Sequence, residues 1–159
     1  MHPTTARRPS LLLIGAAGVL VSGFVHFRLY FDGGYRGIAP ESFAGMTISR
    51  AFAVNALAGF LIAWTLVVSV RVPRLAPFAA LAGVAFAAGT LGAYLLSRTV
   101  GILGFEEHAT TTDAIVGATA ELVALATLGS WLVTGPRASS PSPSPSTSPS
   151  TSPSPQGAS

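Results

Sequence analysis

The sequence predicts an all-α protein: a transmembrane four-helix bundle followed by a disordered Ser/Pro-rich C-terminal tail. Three observations predict it. Half of the 159 residues are hydrophobic and only 9% are charged, with a mean hydropathy of +0.58, whereas a soluble domain needs roughly 25% charged residues to cover its surface. The apolar residues gather into four runs, each near the ~20 residues that a helix needs to cross a ~30 Å hydrocarbon core. Alternating serine and proline take over from position 138. Helix is the form expected for the apolar runs, because a lone strand in lipid leaves its backbone N–H and C=O groups without partners.

The elements follow in order. Residues 1–9 form a short segment carrying Arg7 and Arg8, and span 1 runs over 10–30. Its apolar part is longer than the 7–15 residues of a signal-peptide core and lacks a clean cleavage motif, so it reads as a retained span. Span 2 covers 48–70, and the short basic stretch "RVPRLAP" turns the chain into span 3 at 76–97. Span 4 covers 113–133, with Thr112 and Asp113 supplying N-capping chemistry. The four spans lie within a transmembrane domain at 10–137. Between spans 1 and 2, "APESFAG" reads as a short helical turn at the interface. Between spans 3 and 4, "RTVGILGFEEHATTTD" has two glycines to bend it and an apolar "ILGF" suited to the membrane surface. The tail, 138–159, "ASSPSPSPSTSPSTSPSPQGAS", cannot bury a core and is expected to be disordered.

Charge sets the expected orientation. With the N-terminus inside, Arg7, Arg8, Arg71, Arg74 and Arg137 are cytoplasmic, and Arg28, Arg36, Arg50 and Arg98 lie outside. Five against four places both termini in the cytoplasm of a cell-membrane (inner-membrane) protein. The net charge of +3 is scattered over span ends rather than gathered on a basic face, so no nucleic-acid partner is expected; the partner is the lipid bilayer. The absence of cysteine removes disulfides, thiolate metal sites and iron–sulfur clusters.

Small residues recur every four positions on span 3, as Ala79, Gly83, Ala87 and as Ala85, Gly89, Ala93. Span 1 offers Gly18 and Ser22, and span 4 offers Gly117, Ala120 and Ala124. Such rows let helix backbones approach closely in lipid. They suit packing within one bundle, a homo-oligomer or a membrane partner subunit alike.

Polar groups inside a span are costly and ask for a reason. Glu121 stands eight residues into span 4 from Asp113, roughly 12 Å deep at 1.5 Å per residue. The same counting puts Asn55 and Thr90 at roughly 10–12 Å, His26 and Tyr94 near ~6 Å, and Arg50 near ~3 Å. Ser22, His26 and Tyr30 share one stripe, Ala87, Thr90, Tyr94 and Ser97 a second, and Gly117 and Glu121 a third. The candidate site is therefore a polar layer of His26, Arg50, Asn55, Thr90, Tyr94 and Glu121 in the outer half of the bundle. One reading pairs Glu121 with Arg50 or His26 to fix helix register; the other gives Glu121 and His26 a part in proton handling or ligand binding. His26, His108, Glu106 and Glu107 are the candidate metal ligands, although no HxxxH or HxH spacing accompanies them. No cofactor is assigned.

The segments "HFRLYFDGGYRGIAPESFAGM" and "GAYLLSRTVGILGFEE" resemble small four-span integral membrane proteins of actinobacterial type, over about 11–133. That resemblance implies the four-helix architecture and carries over no catalytic residue; the general architecture is also that of DoxX-like membrane proteins. The function expected is structural or accessory and non-enzymatic. The alternative is a membrane protein that binds a small molecule, metal or redox cofactor in the polar layer.

Overall fold

The computed structural model describes residues 9–33, 36, 46–102, 106 and 110–134. They form four helices: α1 (Pro9–Phe31), α2 (Ile48–Ser69), α3 (Ala76–Thr99) and α4 (Thr112–Thr134). All four are long and apolar enough to cross a membrane, and each lies within two residues of its expected bounds. The chain is a multi-pass membrane protein. The expected interfacial turn "APESFAG", most of "ILGF", and the Ser/Pro tail lie outside the described residues.

Local chemistry sets the helix ends. Thr47 caps α2, its side-chain oxygen accepting from the Arg50 N–H at 3.2 Å. At α4 the cap is Thr111, whose hydroxyl oxygen accepts from the Ala114 N–H at 3.2 Å. Thr112, expected to share the capping, is already in the first turn, where Asp113 complements the positive helix end. α3 starts with a proline in its first turn, where the missing N–H costs nothing. It ends through Gly101, whose φ of 77° is the left-handed conformation that closes helices and favours glycine.

The bundle is inverted relative to a soluble protein. Large apolar side chains point outward, among them Trp64, Phe78, Leu61 and Ile115, while Ser22, Thr90 and Glu121 are buried. In water such a surface would drive aggregation; against acyl chains it is the stable face. The hydroxyls on the outer face satisfy themselves on their own helix. Thr65 donates to the Leu61 carbonyl, Thr119 to Ile115 and Thr127 to Val123, each at 2.7 Å, so these three hydroxyl hydrogens are not left facing lipid.

Within the bundle α1 packs chiefly on α2 and α4, α3 closes the ring against α4 and α2, and α1 reaches α3 across the middle. The close approaches are made at small residues. Gly23 meets Gly59 where α1 crosses α2, and Gly18 lies against Ala120 and Ala124 of α4. Leu128, fully buried, fills the sockets left by Gly15 and Gly83. On α3 the Ala79, Gly83, Ala87 row is buried. The second row behaves differently: Ala85 and Gly89 face outward, and a methyl added at Gly89 would meet nothing within 4 Å.

α1 and α4 run antiparallel in steady register. Moving along α1 from Gly15 to Ser22 to Arg28 moves back along α4 from Leu128 to Glu121 to Asp113. That register brings the polar layer together.

Candidate functional site

One end of the bundle carries the α1–α2 and α3–α4 connections. Here the helices enclose a cavity of about 360 Å³. It is lined by all four: Val25, His26, Leu29 and Gly33 from α1 and its end; Ile48, Ala51, Phe52 and Asn55 from α2; Thr90, Ala93, Tyr94 and Ser97 from α3; Asp113, Ala114, Gly117, Ala118 and Glu121 from α4. Ile102, the described residue of the expected "ILGF" stretch, and Thr111 complete the lining near the helix ends. The cavity thus runs from Glu121, nine residues beyond the start of α4, to the end of the bundle.

Glu121 is 4% exposed and its Oε1 accepts a hydrogen bond from the Ser22 hydroxyl at 2.8 Å, across the α1–α4 contact. The Thr90 hydroxyl of α3 lies beside the same carboxyl. The acid therefore ties α1 to α4, with Thr90 of α3 close by. A buried acid without partners costs several kcal/mol in a low-dielectric interior, and here the Ser22 hydroxyl meets part of that demand.

Ser22 also reaches His26. Its carbonyl lies 2.8 Å from His26 Nδ1, and a carbonyl can only accept, so Nδ1 carries the hydrogen. In the neutral ring this leaves the lone pair on Nε2. The imidazole packs against Phe52 at 5.4 Å between ring centres, which holds it between α1 and α2. Ser22, wholly buried, is the residue through which the histidine and the acid are linked.

Five of the six residues expected to form the polar layer, His26, Asn55, Thr90, Tyr94 and Glu121, line the cavity together. Arg50 does not line it: it sits in the first turn of α2 with an exposed side chain. The hydroxyl that bonds Glu121 is that of Ser22, rather than the expected Arg50 or His26. Tyr30, on the stripe of Ser22 and His26, is outside the lining and packs edge-on against Phe31. At the cavity mouth Arg28 of α1 pairs with Asp113 of α4 at 3.2 Å, each favourably placed at its helix end.

Of the candidate metal ligands, Glu107 and His108 lie outside the described residues. Among the described residues, no three histidine, aspartate or glutamate side chains gather into a metal-binding group; His26 lines the cavity, and Glu106 is exposed and does not line it.

Sequence reasoning did not assign Ser22 to the site. Its signal was present: it stands one turn before His26 on the same stripe, at the depth that an antiparallel partner gives Glu121. Serine in an apolar span is ambiguous by itself, because it also serves as a small packing residue. Ser97 is a second such residue, placed on the α3 stripe and found on the cavity wall.

No family model, no curated protein and no solved structure matches the chain.

Proposed function

We propose that this is a membrane-embedded binding protein that holds a small molecule in the cavity of its polar layer. The observation that carries the reading is the cavity itself, about 360 Å³ and walled by His26, Asn55, Thr90, Tyr94 and Glu121. It falls in the lower part of the range of ligand pockets, roughly 300–1,000 Å³, and combines apolar walls with a few convergent polar groups as such pockets do. At ~30 Å³ per water-sized atom it admits a ligand of about a dozen non-hydrogen atoms.

A structural or accessory role is the competing reading. One observation favours it: among the described residues no buried side-chain nitrogen or oxygen lacks a partner, as expected of a layer that only fixes helix register. The cavity separates the two readings. A layer serving register alone gains nothing from an open space beside it, and tight packing is what holds membrane helices together.

A thermal-stability screen in detergent, with small cations, anions and neutral compounds on wild type and Ala93→Phe, decides between them. A ligand site predicts that at least one compound stabilises the wild type, by ~2.7 kcal/mol at a hundred times its dissociation constant, and that the phenylalanine blocks this. A panel without effect, together with a higher melting temperature for Ala93→Phe, identifies the space as a packing defect and refutes the binding reading.

The flanking arginines support a cytoplasmic N-terminus in the cell membrane and a cavity facing outward; cysteine labelling tests this. The resemblance to four-span proteins of actinobacterial type rests on the two quoted segments and remains a proposal of kinship.

A further inference from the structure

The hydroxyl hydrogens of Ser22, Thr90 and Ser97 are already committed. Ser22 gives its hydroxyl hydrogen to Glu121 at 2.8 Å, Thr90 to the Phe86 carbonyl at 2.9 Å, and Ser97 to the Tyr94 carbonyl at 2.7 Å. A hydroxyl has one hydrogen and two lone pairs, so Thr90 and Ser97 offer only lone pairs to anything else. His26 donates from Nδ1 to the Ser22 carbonyl at 2.8 Å, which leaves an accepting Nε2 on the neutral ring. The Glu121 carboxylate has about four lone-pair sites, of which Ser22 occupies one.

Against these acceptors, the donors among the deep polar residues are the Asn55 amide and the Tyr94 hydroxyl. The charges point the same way. Among the described lining residues there is no arginine or lysine, and two are acids: Asp113 at the mouth, paired with Arg28, and Glu121 at the floor. The aromatic rings of Phe52 and Tyr94 lie in the wall, and aromatic faces attract cations.

We propose that the cavity binds a small protonated amine. Its ammonium N–H groups donate to Glu121 and to the surrounding lone pairs, and its apolar body rests on Phe52, Val25 and Leu29. The inference rests on the reading of the cavity as a ligand site and names the class of ligand. A cation bound there also neutralises the buried carboxylate, which by itself is the most costly group in the bundle.

The test is calorimetric titration of the detergent-solubilised full chain at neutral pH with three probes of one shape: 2-phenylethylammonium, its N,N,N-trimethyl analogue and 2-phenylethanol. The ammonium is expected to bind at least about tenfold more tightly than the alcohol, the scale of a charge-assisted hydrogen bond. The trimethyl analogue, which has charge but no N–H, is expected to fall between them. Glu121→Gln, which keeps an acceptor for Ser22, should erase the preference for the ammonium. Equal affinity for ammonium and alcohol overturns the proposal while leaving the cavity a ligand site. A trimethyl analogue that binds as tightly as the ammonium overturns it too, because the N–H donors then contribute nothing. No binding by any of the three also overturns it, and the broader stability screen then judges the cavity independently. The wild-type comparison decides by itself should the glutamine variant fail to fold.

Discussion

Replacing Gly18 by alanine tests whether close helix approach holds this bundle together. A Cβ at position 18 would stand 2.7 Å from the Ala120 carbonyl oxygen and 3.2 Å from both the Cβ and the N of Ala124. Carbon and oxygen settle at about 3.3 Å or more, so α1 and α4 must part by roughly half an ångström. The atoms in the way are mostly backbone and cannot swing aside. Overpacking of this kind costs about 1–3 kcal/mol. Parting the helices also stretches the 2.8 Å Ser22–Glu121 hydrogen bond one turn away, with part of the ~1–3 kcal/mol of a buried hydrogen bond to a carboxyl at stake. Alanine returns up to ~1 kcal/mol of helix propensity over glycine. The net expectation is destabilisation by about 1–3 kcal/mol.

Gly89→Ala is the control. It makes the same chemical change in α3, where the added methyl meets nothing within 4 Å, so it should be neutral or stabilising by up to ~1 kcal/mol. Unfolding both variants with SDS in mixed micelles, followed by helical circular dichroism, should separate them by about 1–4 kcal/mol. If the two are equally stable, close backbone contact at α1–α4 does not hold the bundle and the packing argument fails.

Two further outcomes are expected. Ser22→Ala should cost about 1–3 kcal/mol, because it strips a buried carboxyl of its hydroxyl donor; combined with Glu121→Leu the serine change should cost clearly less, and additive losses in this double-mutant cycle would show that the two side chains are not coupled. For orientation, the chain has no native cysteine, so single cysteines at Val72, in the α2–α3 turn, and at Val100, after α3, report cleanly. In intact cells a membrane-impermeant maleimide should label Val100→Cys and spare Val72→Cys, and the reverse pattern would invert the proposed topology.

The four helices were legible because a bilayer leaves few alternatives. Each run needed enough apolar residues to cross the core, and only helix satisfies its own backbone there. That Glu121, Asn55 and Thr90 share a level was legible too, since the rise per residue is constant along a helix, and all three line one cavity. Arg50 exposes a weakness of counting depth alone. It lies at the right end of the bundle, yet its position in the first turn of α2 leaves its side chain exposed, away from the cavity lined by Asn55 one and a half turns deeper.

Sequence by itself determined the class of protein, the four spans, and five residues of one polar layer. Tertiary structure alone decided which of two equivalent small-residue rows on α3 is buried, that Ser22 is the partner of Glu121, and that a cavity exists between them. The reason is physical. In a soluble helix the water-facing side is polar, so periodicity records which face turns inward. In lipid both the interior and the surroundings are apolar, and that record is nearly blank. Ala79, Gly83, Ala87 and Ala85, Gly89, Ala93 read alike until steric fit across helix pairs chooses between them, and the register that seats Leu128 between Gly15 and Gly83 is the same one that carries Ser22 to Glu121.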